Sequence, residues 1–157
     1  MSLRALLVVF PALVLVALAS SASHSKTAGI GVGGGAWLTG LTAKKYLADD
    51  NAIQGIIGLT RQGWAVETDY RWRMGRIRDE SPASIAWGLG VGFGALTESE
   101  DQQFAAGLLF LGVGEIVLEF SEAPIEVVLD YRPAYRIGGL KWGGDFTHVG
   151  GALRYFF

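Results

Sequence analysis

The sequence predicts an all-β protein, an eight-stranded antiparallel up-and-down transmembrane β-barrel behind a cleavable leader. Three observations carry that expectation. Long stretches alternate apolar and polar residues with a period of two, the repeat of a strand with two unlike faces. Glycine is abundant, 23 of 157 residues, and none occurs before Gly29, which disfavours helical packing. Beyond the leader no apolar run reaches the roughly 20 residues of a spanning helix without meeting a glycine or a charge. The remaining composition narrows the class further. With 50% hydrophobic residues the chain is too apolar to stay disordered. A net charge of −2 offers no basic field to a nucleic acid, and the absence of cysteine removes disulfides, thiolate metal sites and thiol nucleophiles.

The leader comes first. Met1–Arg4 is a short positive start, Ala5–Ala19 is apolar, and the small residues Ala19-Ser20-Ser21-Ala22-Ser23 follow, with cleavage expected after Ala19 or Ala22. The apolar run is too short to span a bilayer and contains Pro11. Residues 1–22 are therefore expected to be a signal peptide and residues 23–157 the barrel domain, exported to the outer membrane of a diderm bacterial envelope.

Strands follow in order. Ala28–Trp37 is rich in glycine, Leu41–Leu47 begins after a turn at Gly40, and Ala52–Thr60 follows the turn signal Ala48-Asp49-Asp50-Asn51. In Gly63–Arg73, Trp64, Val66, Thr68, Tyr70 and Trp72 share one face while Glu67, Asp69, Arg71 and Arg73 share the other. Ser84–Ala95 sets Ile85, Trp87, Leu89, Val91 and Phe93 against Gly88, Gly90, Gly92 and Gly94. Leu108–Phe120 ends at the turn Ser121-Glu122-Ala123-Pro124. Ile125–Tyr131 and the C-terminal segment from His148 to Phe157 alternate again. Three longer loops are expected at about 74–83, 96–103 and 137–146.

Alternation alone leaves a soluble lipocalin-like barrel and a membrane barrel both open, since they differ only in which face turns inward. Three features favour apolar-out. The glycine row 88/90/92/94 would weaken a water-facing strand for no gain, whereas in a narrow lumen it leaves room for long charged side chains. With both termini periplasmic, Trp72, Trp87, Phe120, Tyr155 and Phe157 fall near one rim; Trp37, Trp64, Phe93 and Tyr135 fall near the other, as two interfacial girdles do. The last strand carries Leu153, Tyr155 and Phe157 on one face and ends on phenylalanine, a form the outer-membrane assembly machinery is expected to read.

The inferred lumen then gathers Lys44, Glu67, Asp69, Arg71, Arg73, Glu115, Glu119, Glu126, Asp130, Arg132, His148 and Arg154. Six acids face five bases with histidine neutral. An eight-stranded barrel has almost no bore, so these groups are expected to form an ionic network that plugs it.

Size and pattern resemble the OmpA/OmpX class of small outer-membrane barrels. Gly40–Gly58 (GLTAKKYLADDNAIQGIIG), Leu118–Pro133 (LEFSEAPIEVVLDYRP) and the closing GGALRYFF resemble a family of small bacterial outer-membrane barrels with spirochaetal members. There a Gly-Leu-Thr strand runs through an acidic turn into an Ala-Ile strand, and an Ala-Pro turn precedes a strand closed by proline, the places of Pro124 and Pro133. The resemblance implies fold and compartment and brings no catalytic residue. The stretch Gly75-Arg76-Ile77-Arg78 departs from it, being long for a periplasmic turn.

Chemical motifs are few. An acyl-transfer set would have to use Ser99, His148 and one of Glu98, Glu100 or Asp145, but alternation turns His148 inward and leaves Ser99 in a loop. The run Ile30-Gly31-Val32-Gly33-Gly34-Gly35 lacks the Gly-Lys-Ser/Thr ending of a phosphate loop. Two histidines are too few for a transition-metal site. No enzyme, cofactor or metal is expected. The leading expectation is a structural envelope barrel in contact with outer-membrane lipid. The alternatives are a surface-binding protein acting through Glu98, Glu100, Asp101, Lys141 and Trp142, a narrow pore, or an exported soluble barrel.

Overall fold

The computed structural model describes residues 27–48, 50–100, 103–140 and 142–157; the expected leader lies outside them, as do Asp49, Asp101, Gln102 and Lys141. The described residues form ten strands: β1 (Ala28–Gly35), β2 (Thr39–Ala48), β3 (Asn51–Leu59), β4 (Gly63–Glu80), β5 (Ala83–Glu100), β6 (Gln103–Phe120), β7 (Ile125–Tyr131), β8 (Ala134–Gly138), β9 (Gly143–Asp145) and β10 (Val149–Phe156). Strands β1 to β7 pair antiparallel in chain order, β7 pairs with β10, and β10 returns to β1. Eight strands thus close a ring.

The two extra strands are continuations. β7 and β8 lie along the same edge of β6, with Tyr131 opposite Gly114 and Ala134 opposite Leu111. They are one barrel strand interrupted at Arg132-Pro133, where proline has no N–H to give the ladder; Gly112 N–H instead donates to the Pro133 carbonyl at 2.9 Å. β9 pairs with β8 and extends the line of β10 in the same way. Gly138 and Gly139, with φ of 80° and 81°, make the turn between β8 and β9, a conformation that costs glycine nothing and L-residues about 1 kcal/mol or more.

Closure requires stagger. Stepping across the ladders from Gly31 through Thr42, Ile56, Glu67, Gly94, Leu109 and Arg136 leads to Gly143. Yet Gly31 itself pairs with Arg154. The strands are therefore tilted round the ring, as barrel geometry demands. Both described ends of the chain, Thr27 and Phe157, lie at the rim where β2 passes to β3, β4 to β5 and β6 to β7. The opposite rim is where β1 passes to β2, β3 to β4, β5 to β6 and β8 to β9.

Inside and outside differ in polarity. Glu126, Val128 and Asp130 of β7 are buried while Ile125, Val127, Leu129 and Tyr131 are exposed. In β5, Gly88 and Gly90 are buried between exposed Trp87, Leu89 and Val91. The ring interior has two layers. Toward the turn at 36–38, Leu38, Ile56, Ala65, Leu96, Leu109, Leu111 and Ala134 pack together with Trp37 against them; an apolar layer was not expected there. The rest of the interior is ionic.

Two expected loops are strands. Residues 74–80 extend β4 to a turn at Ser81-Pro82, with register shifts between Arg73 and Gly75 and between Arg76 and Arg78. Each shift is a bulge that breaks the period of two, so the alternation ending at Arg73 hid a continuing strand. Residues 96–100 likewise extend β5, with Leu96 and Glu98 inward. The third expected loop, 137–146, contains the end of β8 and all of β9.

The glycine row is the counterpart of the ionic interior. A Cβ at Gly90 would lie 2.7 Å from the Tyr70 carbonyl oxygen, 3.2 Å from Arg71 Cγ and 3.4 Å from Val113 Cβ. A Cβ at outward-facing Gly114 would meet nothing within 4 Å. Gly90→Leu is therefore expected to lower unfolding free energy by about 1–3 kcal/mol, the usual cost of overpacking. Gly114→Ala should leave it nearly unchanged, both read from urea unfolding of the folded protein.

Candidate functional site

The chemistry-bearing side chains lie within the ring, each placed there by its position on an alternating strand. β4 contributes Glu67, Asp69 and Arg71, β2 contributes Lys44, β6 Glu115, β7 Glu126 and Asp130, and β10 Arg154; Arg132 follows β7 directly. All are buried. They form one connected network. Arg71 pairs with Asp69 and Glu115 and lies 3.5 Å from Asp130. Arg132 reaches Glu67 at 3.0 Å and Asp130 at 2.8 Å. Lys44 pairs with Glu126 at 3.0 Å, and Arg154 holds the other Glu126 oxygen at 2.6 Å.

Arg73 and Glu119 pair with each other nearer the rim that carries the chain ends and are only half-buried. Tyr46 joins them to the buried network. Its hydroxyl lies 3.0 Å from Glu119 Oε1 and 2.8 Å from Glu126 Oε2, sharing one proton between two carboxylates, and accepts from Arg73 at 3.0 Å. That placement matters because Glu119 and Glu126 sit directly opposite each other on β6 and β7, where like charges repel.

His148 is set apart. It is buried and its Nε2 lies 2.8 Å from Asp145 Oδ2. The Trp37 indole stacks on it with centroids 5.1 Å apart. A second pair stands beside it: Arg136 meets Glu98 at 2.9 Å, and Glu98 also accepts from the Leu140 N–H at 2.8 Å. Trp37 is thus folded over the end of the interior and does not join an outward band, as the girdle pattern anticipated. It occupies the turn between β1 and β2, where strand alternation no longer governs direction. Of the other expected girdle residues, Trp72, Trp87, Phe93, Tyr155 and Phe157 are outward and exposed, while Trp64 and Phe120 are half-buried.

Several interior groups escaped the sequence reading. Thr42, Lys44 and Tyr46 share one face of β2 by simple alternation, which would have found Tyr46 beside Lys44. Gln54 and Glu98 are buried, but Gln54 stands in a weakly alternating segment and Glu98 in what reads as a loop. The Ser99 and His148 pairing has no geometric support. Ser99 follows inward Glu98 on β5 and is exposed, so it faces the opposite side of the sheet from His148. Among the described residues no group of three or more His, Asp or Glu is arranged to hold a metal ion. Compared with known proteins, the chain matches no family model, no curated protein and no solved structure.

Two outcomes follow from this geometry. Arg71→Met leaves Asp69 and Glu115 without their principal cation and should cost about 3–5 kcal/mol, the penalty for stranding buried charge. Arg78→Met removes only an exposed pair with Glu80 and should cost less than about 1 kcal/mol; chemical unfolding of both variants distinguishes them.

Proposed function

We propose that this chain is a small integral outer-membrane β-barrel protein of a diderm bacterial envelope, with a structural role, no catalysis and a bore closed by its ionic network. The observation that carries the reading is the inverted polarity of a closed ring. Arg71 and Arg154 are 1% exposed, whereas Val91 is 57%, Phe93 63% and Leu153 51% exposed. A soluble monomer rarely leaves large contiguous apolar patches in water. Hydrocarbon accepts such a surface, and it accepts strands only when no backbone edge is left unpaired.

Three further features support it. Trp72, Trp87, Tyr155 and Phe157 lie on the outside toward the rim that carries the chain ends, while Phe104 and Trp142, each 72% exposed, lie toward the other. Aromatic side chains at both heights suit two membrane–water interfaces. With an even number of ring strands both ends share one rim, read here as periplasmic. The last strand presents Leu153, Tyr155 and Phe157 outward, the form in which assembly machinery would receive it. The same reading leaves 1–22 as an export signal and outer-membrane lipid as the principal partner.

Paired charges across the interior argue against a pore. An ion entering would have to break contacts such as Arg71–Glu115 and Arg132–Glu67, so planar bilayers containing the protein should show no conductance steps. The deciding experiment is reconstitution of the mature chain in vesicles containing lipids brominated along the acyl chain. Tryptophan emission should be quenched, and the unboiled protein should migrate faster than the boiled protein in SDS gels. A freely soluble periplasmic protein with unquenched tryptophans would overturn the proposal in favour of an exported soluble barrel.

A further inference from the structure

Between the apolar layer and the ionic network lies a cavity of about 20 Å³, bordered by Trp37, Gln54, Glu67, Arg132, His148 and Arg154 among others. That is room for one or two water-sized species. Its walls carry most of the unsatisfied polar atoms of the interior. Both amide atoms of Gln54 and Glu67 Oε1 are buried without a hydrogen-bond partner among the described residues. Buried polar groups in native proteins are nearly always paired. Three such atoms on one cavity therefore point to a ligand.

The donor and acceptor inventory selects its class. Glu67 Oε1 and Gln54 Oε1 offer lone pairs. His148 is engaged already, by Asp145 through Nε2 at 2.8 Å and by the Arg132 backbone. Only the Gln54 amide nitrogen offers a donor. The cations on the cavity wall are already engaged, Arg132 by Asp130 and Glu67 Oε2, Arg154 by Glu126 and Thr42.

Charge points the same way. The fully buried network holds Glu67, Asp69, Glu115, Glu126 and Asp130 against Lys44, Arg71, Arg132 and Arg154, one carboxylate more than its cations neutralise. Burying an uncompensated charge is costly, and Glu67, whose Oε1 is buried without a partner among the described residues, borders this cavity. We propose that the cavity is a binding site for a single small monovalent cation, of sodium or ammonium size, held by Glu67 and Gln54. Gly35, Ala36 and Trp37 also border it, at the turn between β1 and β2. The site lies inside the ring and does not depend on whether lipid or water surrounds it.

The test uses the folded full-length mature chain in detergent. Thermal unfolding is followed in lithium, sodium, ammonium, potassium and choline chlorides at one ionic strength, with sodium-23 relaxation as a direct binding readout. A ligand that binds only the folded state raises the midpoint as its concentration rises. Sodium or ammonium should therefore raise it above the choline value, and excess sodium-23 relaxation should saturate. Glu67→Gln should abolish both effects, and Gln54→Leu, which leaves every ion pair intact, should weaken both if Glu67→Gln fails to fold. Equal midpoints in sodium and choline overturn the proposal, and so does sodium dependence unchanged in these variants. A midpoint that responds to pH but not to cation identity also overturns it, placing a proton on Glu67 instead.

Discussion

Enclosing charge is the constraint on which the rest of this structure depends. Once Lys44, Arg71, Arg132 and Arg154 are turned into a closed ring, each must find a carboxylate, and each does. The pairs link strands that are remote in sequence: β2 to β7, β4 to β6, β7 to β10. Such contacts add little net stability, because desolvation offsets most of the attraction. What they add is uniqueness of register. Sliding β4 by one residue would turn Glu67, Asp69 and Arg71 outward together and break their pairs with Glu115, Asp130 and Arg132.

Glycine is the geometric complement of that charge. Long side chains from β2, β4, β6, β7 and β10 converge on an interior that an eight-stranded ring leaves barely open. Gly88, Gly90 and Gly94 of β5 are buried and contribute no volume to it. Beyond the charges, the apolar layer of Leu38, Leu96 and Leu109 closes the space toward Trp37. At the opposite rim Phe156 turns inward, and its ring lies 5.7 Å from that of Tyr46. The ionic layer is thereby kept from bulk water at both ends, so its pairs are little screened.

Sequence and structure agree most closely where alternation is strict. In Ile125–Tyr131 every second residue is buried, and the strand bounds coincide. Legibility fails where the period of two is interrupted. The bulges near Met74 and Ile77 disguise the second half of β4, and the polar residues after Leu96 disguise the end of β5. Pro133 and Gly138 divide one ring strand and its return, which a linear pattern cannot reassemble. The ionic members were visible as residue types on one face. Their partners were not, because pairing across the ring depends on stagger, which no single strand records. Trp37 and Gln54 were missed for a related reason: one sits on a turn, the other among residues whose two faces are both largely apolar.

An interior made this way cannot drive folding as an ordinary core does. Most large apolar side chains, among them Leu41, Leu89, Phe93, Phe110 and Leu129, remain exposed on the outside. The apolar interior layer is small by comparison. Removing apolar surface from water contributes roughly 25 cal/mol per Å², so the larger share of that driving force must come from whatever covers the outer face. On the membrane reading, lipid supplies it, while the enclosed charges exclude competing registers. The two roles are then divided between two surfaces of the same sheet, and each strand carries both in alternate residues. A substitution on the outer face should accordingly alter affinity for the surrounding medium, whereas one on the inner face should alter which ring is formed.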